Sequence, residues 1–331
     1  MSDLMKAVAC PNYGPPEVLQ IKEIKKPIPK KNEVLVKIKN TSVNSGDCRV
    51  RGANFPPGFD IPARLILGIF KPRQKILGST FSGVIESVGD EVTTLKKGDE
   101  VFGMSGVKMG AYAEYITIKE KSAISIKPKN LSFEEAAAML FGGSTAIYFL
   151  KDLADIKEGQ TVLINGASGA VGTAAIQIAK NLGAHVIGVC STANVELVKS
   201  LGADEVIDYK KEDIFNLNNK YDVVVETVGN ISIKKGKYLL KENGKLVLVV
   251  SSFADLLRAS LLKHSVDGKR IQVLQGTALE KKDYLTYLIE LFNQNKFKVI
   301  IDKTFSLDEM AEAQKYVETG HKAGNVVINV I

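Results

Sequence analysis

The chain reads as an α/β protein in two parts, a β-rich unit and a doubly wound parallel sheet. Three observations carry that reading. A glycine-rich turn joins an apolar strand to an amphipathic helix between Thr161 and Gly183. Further strands alternate with connecting stretches as far as Leu274, and the residues before 126 show strand-period segments broken by turns.

In chain order, Glu33–Lys39 alternates apolar and polar with period two, and Phe81–Val88 and Tyr112–Ile118 are further strands. Gly89-Asp90, Lys97-Gly98-Asp99 and Met109-Gly110 punctuate them as turns. Ser132 is placed to cap a helix with Glu134 and Glu135 in its first turn, running towards Leu140, and a second helix is expected from about Ser144. Next come a strand at Val162–Ile164, a helix from Thr173 and a strand at Val186–Val189. Ala174, Ala175, Ile178, Ala179 and Leu182 fall on one face of that helix, and Gly183 ends it. Strands at Val223–Val225, Leu246–Val250 and Ile271–Leu274 complete a sheet of βα units. The tail predicts a helix from Lys281 to Asn293, a strand at Val299–Ile301, a helix from Leu307 to Val317 and a strand from Val326 to Val330. It is expected to return to the first part, although periodicity alone does not show that.

The turn Gly166-Ala167-Ser168-Gly169-Ala170-Val171-Gly172 has the chemistry of a pyrophosphate site. Glycine allows tight curvature, lets main-chain N–H groups approach an anion and packs the helix close to the strand, and the helix N-terminus adds its dipole. Its spacing is one residue longer than G-x-G-x-x-G, and such turns also occur for packing alone. The context of strand, turn, helix and strand favours a dinucleotide. NAD sites carry an acid about 20 residues on, for the ribose 2′-hydroxyl; here the position reads Cys190-Ser191-Thr192, with Asn194 following and Tyr209-Lys210 after the next strand. Hydroxyl and amide donors without a carboxylate favour NADP(H) over NAD(H). The ordinary alternative makes Tyr209 a strand-end aromatic and Lys210 a solvated charge.

Length and composition bound the rest. A chain of 331 residues, 45% hydrophobic and 24% charged, suits two soluble domains. The net charge of +7 is spread among carboxylates along the chain, and no RNA-binding aromatic motif accompanies it, so nucleic acid is not expected as a partner. Three scattered cysteines, Cys10, Cys48 and Cys190, argue against a disulfide framework and for a reducing compartment. With no signal-like start and no apolar run of spanning length, the expectation is a cytoplasmic protein without a membrane partner.

Several segments together resemble the medium-chain dehydrogenase/reductase superfamily, in its zinc-free quinone oxidoreductase branch. They are Tyr13–Leu19, Gly83–Gly89, Lys97–Gly103, Gly110–Tyr115, the turn at 166–172, Val225–Gly229 and Gly320–Val327, in order and across nearly the whole chain. The resemblance implies a GroES-like catalytic domain from residues 1–126 and 277–331 around a Rossmann domain at 127–276, a cleft between them, and a homodimer. In the zinc enzymes of this superfamily G-H-E-x-x-G supplies ligands, but here it reads Gly78-Ser79-Thr80-Phe81-Ser82-Gly83. The cysteine positions fall at Asn44 and near Phe141, and the histidines are only 185, 264 and 321, so no zinc is expected. Without a Lewis acid a plain alcohol is a poor hydride donor, which shifts the expected reaction to reduction of quinones or α,β-unsaturated carbonyls. The alternatives are a metal-free alcohol dehydrogenase, or an NADPH-binding interaction or RNA-binding protein with little catalysis.

By the same resemblance Asn44, in Asn44-Ser45-Gly46-Asp47, contacts cofactor or substrate carbonyl, and Asp47 holds the turn; the alternative is an ordinary N-x-x-D loop turn. Thr145 lies near the nicotinamide phosphates, or is a plain helix cap. Val228, Gly229 and Ser251 sit at strand ends where ligands gather. Asn325 stands where the family usually has lysine. Related enoyl reductases carry a tyrosine proton donor where this chain has Phe55; Tyr112, a water or solvent is left for the role. The segment 53–77, apolar with four basic residues, is read either as a cover over the cleft or as a surface helix packed on its own domain.

Overall fold

The computed structural model describes residues 3–55, 57–250, 254–255, 270–275 and 280–331. The strands are β1 (Leu4–Ala9), β2 (Gln20–Lys25), β3 (Glu33–Val43), β4 (Thr80–Val88), β5 (Glu100–Met104), β6 (Tyr115–Lys119), β7 (Ile124–Ile126), β8 (Thr161–Asn165), β9 (His185–Cys190), β10 (Glu205–Asp208), β11 (Tyr221–Glu226), β12 (Leu240–Leu248), β13 (Ile271–Gln275), β14 (Ile301–Ser306) and β15 (Asn325–Asn329). The α-helices are α1 (Ser45–Gly52), α2 (Asp60–Leu67), α3 (Phe133–Ile147), α4 (Ala170–Asn181), α5 (Val195–Ser200), α6 (Ile233–Leu239), α7 (Lys282–Asn293) and α8 (Met310–Glu318).

Among the described residues one sheet is wholly parallel, in the order β10-β9-β8-β11-β12-β13. This is the doubly wound order, and its switch point lies at the C-terminal end of β8 beside β11. Alternate residues of its strands face opposite cores: Val162, Ile164, Val223 and Val225 on one side, Leu163, Val224 and Leu246 on the other. Burial of both faces explains why these strands read as continuous apolar runs.

The second sheet runs β14-β15-β3-β4-β5-β7, with β6 also paired to β3. The tail returns here, because β15 lies antiparallel to β3 and parallel to β14. Helix α8 packs against α1, and Arg51 fixes the contact. Its guanidinium, 1% exposed, donates to Gln314 Oε1 (2.8 Å) and Gly14 O (2.7 Å) and pairs with Glu318. A buried cation is tolerated because its donors are matched this way.

Three expectations need correction. Helix α3 is continuous from Phe133 and runs on into a π-helical stretch, Tyr148–Leu153, so no second helix begins near Ser144 and Thr145 is not a cap. The pair Gly142-Gly143 serves packing: a Cβ on Gly142 would lie 2.2 Å from Ala170 O, and one on Gly143 2.7 Å from Leu288. Helix α4 begins at Ala170, so Ala170, Val171 and Gly172 are its first turn. Val299-Ile300 is not strand, because the adjacent Lys298 N and O bond the Gln177 side chain, and β14 starts at Ile301. Ser132 caps α3 in a reciprocal box with Glu135, as its spacing predicts.

Candidate active site

The turn after β8 reaches the N-terminus of α4 with no side chain capping it and no acid in the first turn. The first N–H groups of the helix therefore have no partner of their own, which is the arrangement an anion satisfies. The turn is closed tightly, since a Cβ on Gly172 would lie 2.1 Å from Gly166 O. Its outer side is stitched to the tail: Gly324 N donates to Ser168 O (2.8 Å), and Gly169 and Gly324 form a bridge. These features fit a dinucleotide pyrophosphate.

Beyond β9, Asn194 Nδ2 donates to Ser168 Oγ (3.1 Å) and Ser191 Oγ (3.3 Å), so the turn and the end of β9 share one polar cluster. Tyr209 is half exposed after β10, with the Lys210 ammonium 5.4 Å from its ring centre. Sequence reasoning missed Asp208. Its carboxylate accepts from Thr192 Oγ1 (2.6 Å), which holds it below the usual range, and lies 3.6 Å from Lys211 Nζ.

At the end of β11, Glu226 is fully buried and shapes the Val228-Gly229 loop. Its oxygens accept from Val228 N (2.5 Å), Gly229 N (2.7 Å), Ile231 N (3.1 Å) and Asn165 Nδ2 (2.8 Å). Val228 and Gly229 are thereby held beside the glycine turn, where a Cβ on Gly166 would meet Thr227 and Val228. Ser251 lies outside the described residues.

On the other sheet, Asn44 caps α1 in a box with Asp47. Asn44 Nδ2 donates to Asp47 Oδ2 (2.7 Å) and approaches Ser79 Oγ (3.3 Å), and Phe141 lies against Gly46. The positions that carry zinc ligands in the metal enzymes thus converge as amide, hydroxyl and phenyl. None of these three side chains is an imidazole, thiolate or carboxylate, and among the described residues no three of His, Cys, Asp and Glu gather around one point.

Tyr112 is fully enclosed outside β6 and donates its hydroxyl to Asp47 Oδ2 (2.9 Å), a supporting position and not an open one. Burial pushes the Asp47 carboxyl up from 3.8 to about 7, partly offset by the Tyr112 bond. The native state therefore keeps a proton that the unfolded chain has released. The associated stability is full below the ordinary carboxylate pKa and is lost as pH rises through about 7. Since the donors converge on Oδ2, an amide oxygen can replace it. Asp47→Asn is expected to raise the melting temperature relative to the parent more at pH 8 than at pH 5; equal differences at both would refute the burial argument. Glu280 lies near the same corner, within 2.7 Å of a Cβ built on Gly106. Burial and the Asp47 charge push it up to about 7.

Thr145 is buried inside α3, the helix that touches both α4 and strands β3 and β4. Asn325 is also buried and its amide donates to Ile300 O (3.0 Å), so in this structure its hydrogen bond is structural. In the 53–77 segment, α2 carries no buried residue and Ile61, Leu65, Ile66, Ile69 and Phe70 are exposed.

A doubly wound sheet with an anion turn at its switch point, facing a second sheet that presents Asn44, defines a two-domain dinucleotide-dependent oxidoreductase. Residues 30–128 match the model of the alcohol dehydrogenase GroES-like domain and residues 201–328 that of the zinc-binding dehydrogenase. The chain is 34% identical to the 2-methylene-furan-3-one reductase of Solanum lycopersicum, an alignment covering 99% of this chain and 79% of that one. It is 32% identical to the NADPH-dependent alkenal/one oxidoreductase of Arabidopsis thaliana, covering 98% and 79%. The solved quinone oxidoreductase of Coxiella burnetii superposes with a TM-score of 0.88 at 31% identity, covering 99% of this chain and 100% of that chain. The protein belongs to the medium-chain dehydrogenase/reductase superfamily, in its quinone oxidoreductase branch.

Proposed function

We propose that the protein is an NADPH-dependent, metal-independent reductase of quinones and α,β-unsaturated carbonyls. The observation that carries this reading is the meeting of Asn44, Ser79 and Phe141 where the metal enzymes hold zinc, across from an uncapped α4 N-terminus. Relatives named for furanone, alkenal and quinone reduction support the substrate class.

In this reading the amides of α4's first turn hold the pyrophosphate, and Ser191, Asn194, Tyr209 and Lys210 receive the 2′-phosphate. Val228 and Gly229 border the nicotinamide ribose, with Ser251 further along, and Thr145 lines the approach from α3. Bound NADPH supplies the hydride. The Ser79 hydroxyl and Asn44 Nδ2, which turns its second hydrogen from Ser79 Oγ to the acceptor, hold the acceptor's carbonyl oxygen, and a conjugated acceptor spreads the resulting charge, so hydrogen bonds suffice. With Tyr112 enclosed and bonded to Asp47, a bound water or solvent is left to supply the proton. The reading keeps the division into 1–126 with 277–331 and 127–276, a cytoplasmic setting and a homodimer; no helix of the described residues is long and apolar enough to cross a membrane.

Steady-state rates with 1,4-benzoquinone, an alkenone and simple primary alcohols, using each nicotinamide cofactor, test this. The quinone or enone with NADPH is expected to lead, and a preference for alcohols would overturn the assignment. Asn44→Ala is expected to lower kcat by about 10²-fold with little change in KM for NADPH, since loss of one donor to a developing oxyanion costs about that much. Unchanged kcat would remove Asn44 from the chemistry.

A further inference from the structure

We propose that α2 and the residues after it form a docking face for an anionic lipid bilayer. The segment presents its large apolar side chains outward. Phe70 is 90% exposed, Ile61 75% and Val107, from the neighbouring turn, 72%. Contiguous exposure on this scale marks an interaction surface.

The outward display is built into the loop. Tyr13 Oη donates to Gly68 O (2.7 Å), Arg64 Nη1 to Ile69 O (2.8 Å) and Arg73 Nη2 to Leu65 O (3.2 Å), which fixes the backbone while leaving the apolar tips out. A cover over the cleft would turn those side chains inward, and α2 buries none.

The surrounding charge selects the partner. Between 57 and 77 the segment holds Arg64, Lys71, Arg73 and Lys75 against a single acid, Asp60, and Lys108 adds to the rim. None of these cations belongs to an ion pair of the described residues. Apolar tips ringed by lysine and arginine are the chemistry of a helix lying in the headgroup region of an anionic leaflet. A second copy of this chain is disfavoured, because a two-fold contact sets each cationic rim against its equal. A groove of about 180 Å³ between Ile66, Leu67, Pro72 and Met109 offers room for an acyl segment. The sequence expectation of no membrane partner rested on spanning length, which this mode of binding does not need. The docking is independent of which acceptor the enzyme reduces.

Flotation of the full chain with phosphatidylcholine vesicles, and with vesicles that also contain phosphatidylglycerol, tests the proposal without any turnover. Binding is expected with the anionic vesicles only, and to weaken as salt rises. Phe70→Glu with Ile61→Glu is expected to lower bound protein by about tenfold or more, from the apolar area lost. Lys71→Glu with Lys75→Glu, which alters exposed charges alone, is expected to remove the preference for anionic vesicles. Circular dichroism melts check that each variant is folded. Failure to float, equal flotation with both vesicles, or a fall in oligomer size for Phe70→Glu with Ile61→Glu would each overturn it, the last by making the face a contact between copies.

Discussion

Gly172→Ala is expected to lower NADPH affinity by about a hundredfold, roughly 2.7 kcal/mol, with a clear loss of thermal stability. The added Cβ would lie 2.1 Å from Gly166 O and 2.7 Å from the Ala167 carbonyl carbon and Cα. All are backbone atoms of the turn itself, so relief requires opening the turn or moving α4. Overpacking alone costs about 1–3 kcal/mol, and the displaced amides lose their common aim on the pyrophosphate. Gly169→Ala is the internal control, because its Cβ would find only Gly166 O at 3.5 Å, an ordinary contact. Fluorescence titration with NADPH and thermal melts of both variants decide the matter. If the two lose affinity and stability equally, the steric account of the turn is wrong.

Ser191→Asp is expected to reverse the cofactor preference, moving the NADPH to NADH ratio of kcat/KM by about a hundredfold or more. A carboxylate at the end of β9 accepts from a ribose 2′-hydroxyl and repels a 2′-phosphate. The site already contains Asp208, but that charge is bonded to Thr192 Oγ1 and faces Lys211 at 3.6 Å. A new carboxylate at 191 lacks such compensation and lies beside Asn194, a donor for the ribose. The parent is expected to prefer NADPH. An unchanged ratio in the variant would mean that the 2′-position is read elsewhere.

What the sequence revealed depended on the range of the interactions. The strand, turn and helix from Thr161 to Asn181 are set by local periodicity and glycine spacing, and their order was legible. Capping by Ser132 was legible for the same reason, since both partners lie within one helical turn. The break expected between Leu140 and Ser144 does not occur: Gly142 and Gly143, within it, allow close approach to Ala170 O and Leu288, which are distant in sequence. The pairing of β15 with β3 is a contact across almost the whole chain, which no local pattern records. Around the candidate site, Asn44 was found through its motif. Ser79 was noted only as a missing histidine, yet its hydroxyl accepts from the Asn44 amide at 3.3 Å. Glu226 and Asp208 escaped notice because their roles are to bind backbone and hydroxyl groups brought near by folding.

The single hydrogen bond from Gly324 to Ser168 ties the turn to a segment whose next residues form β15 of the opposite sheet. A hinge motion between the two units cannot leave that turn undisturbed. Cofactor affinity and acceptor fit are therefore expected to be linked through this bond: an acceptor that restrains the second sheet also restrains the turn, and tighter NADPH binding in the presence of a well-fitting acceptor is the expected readout.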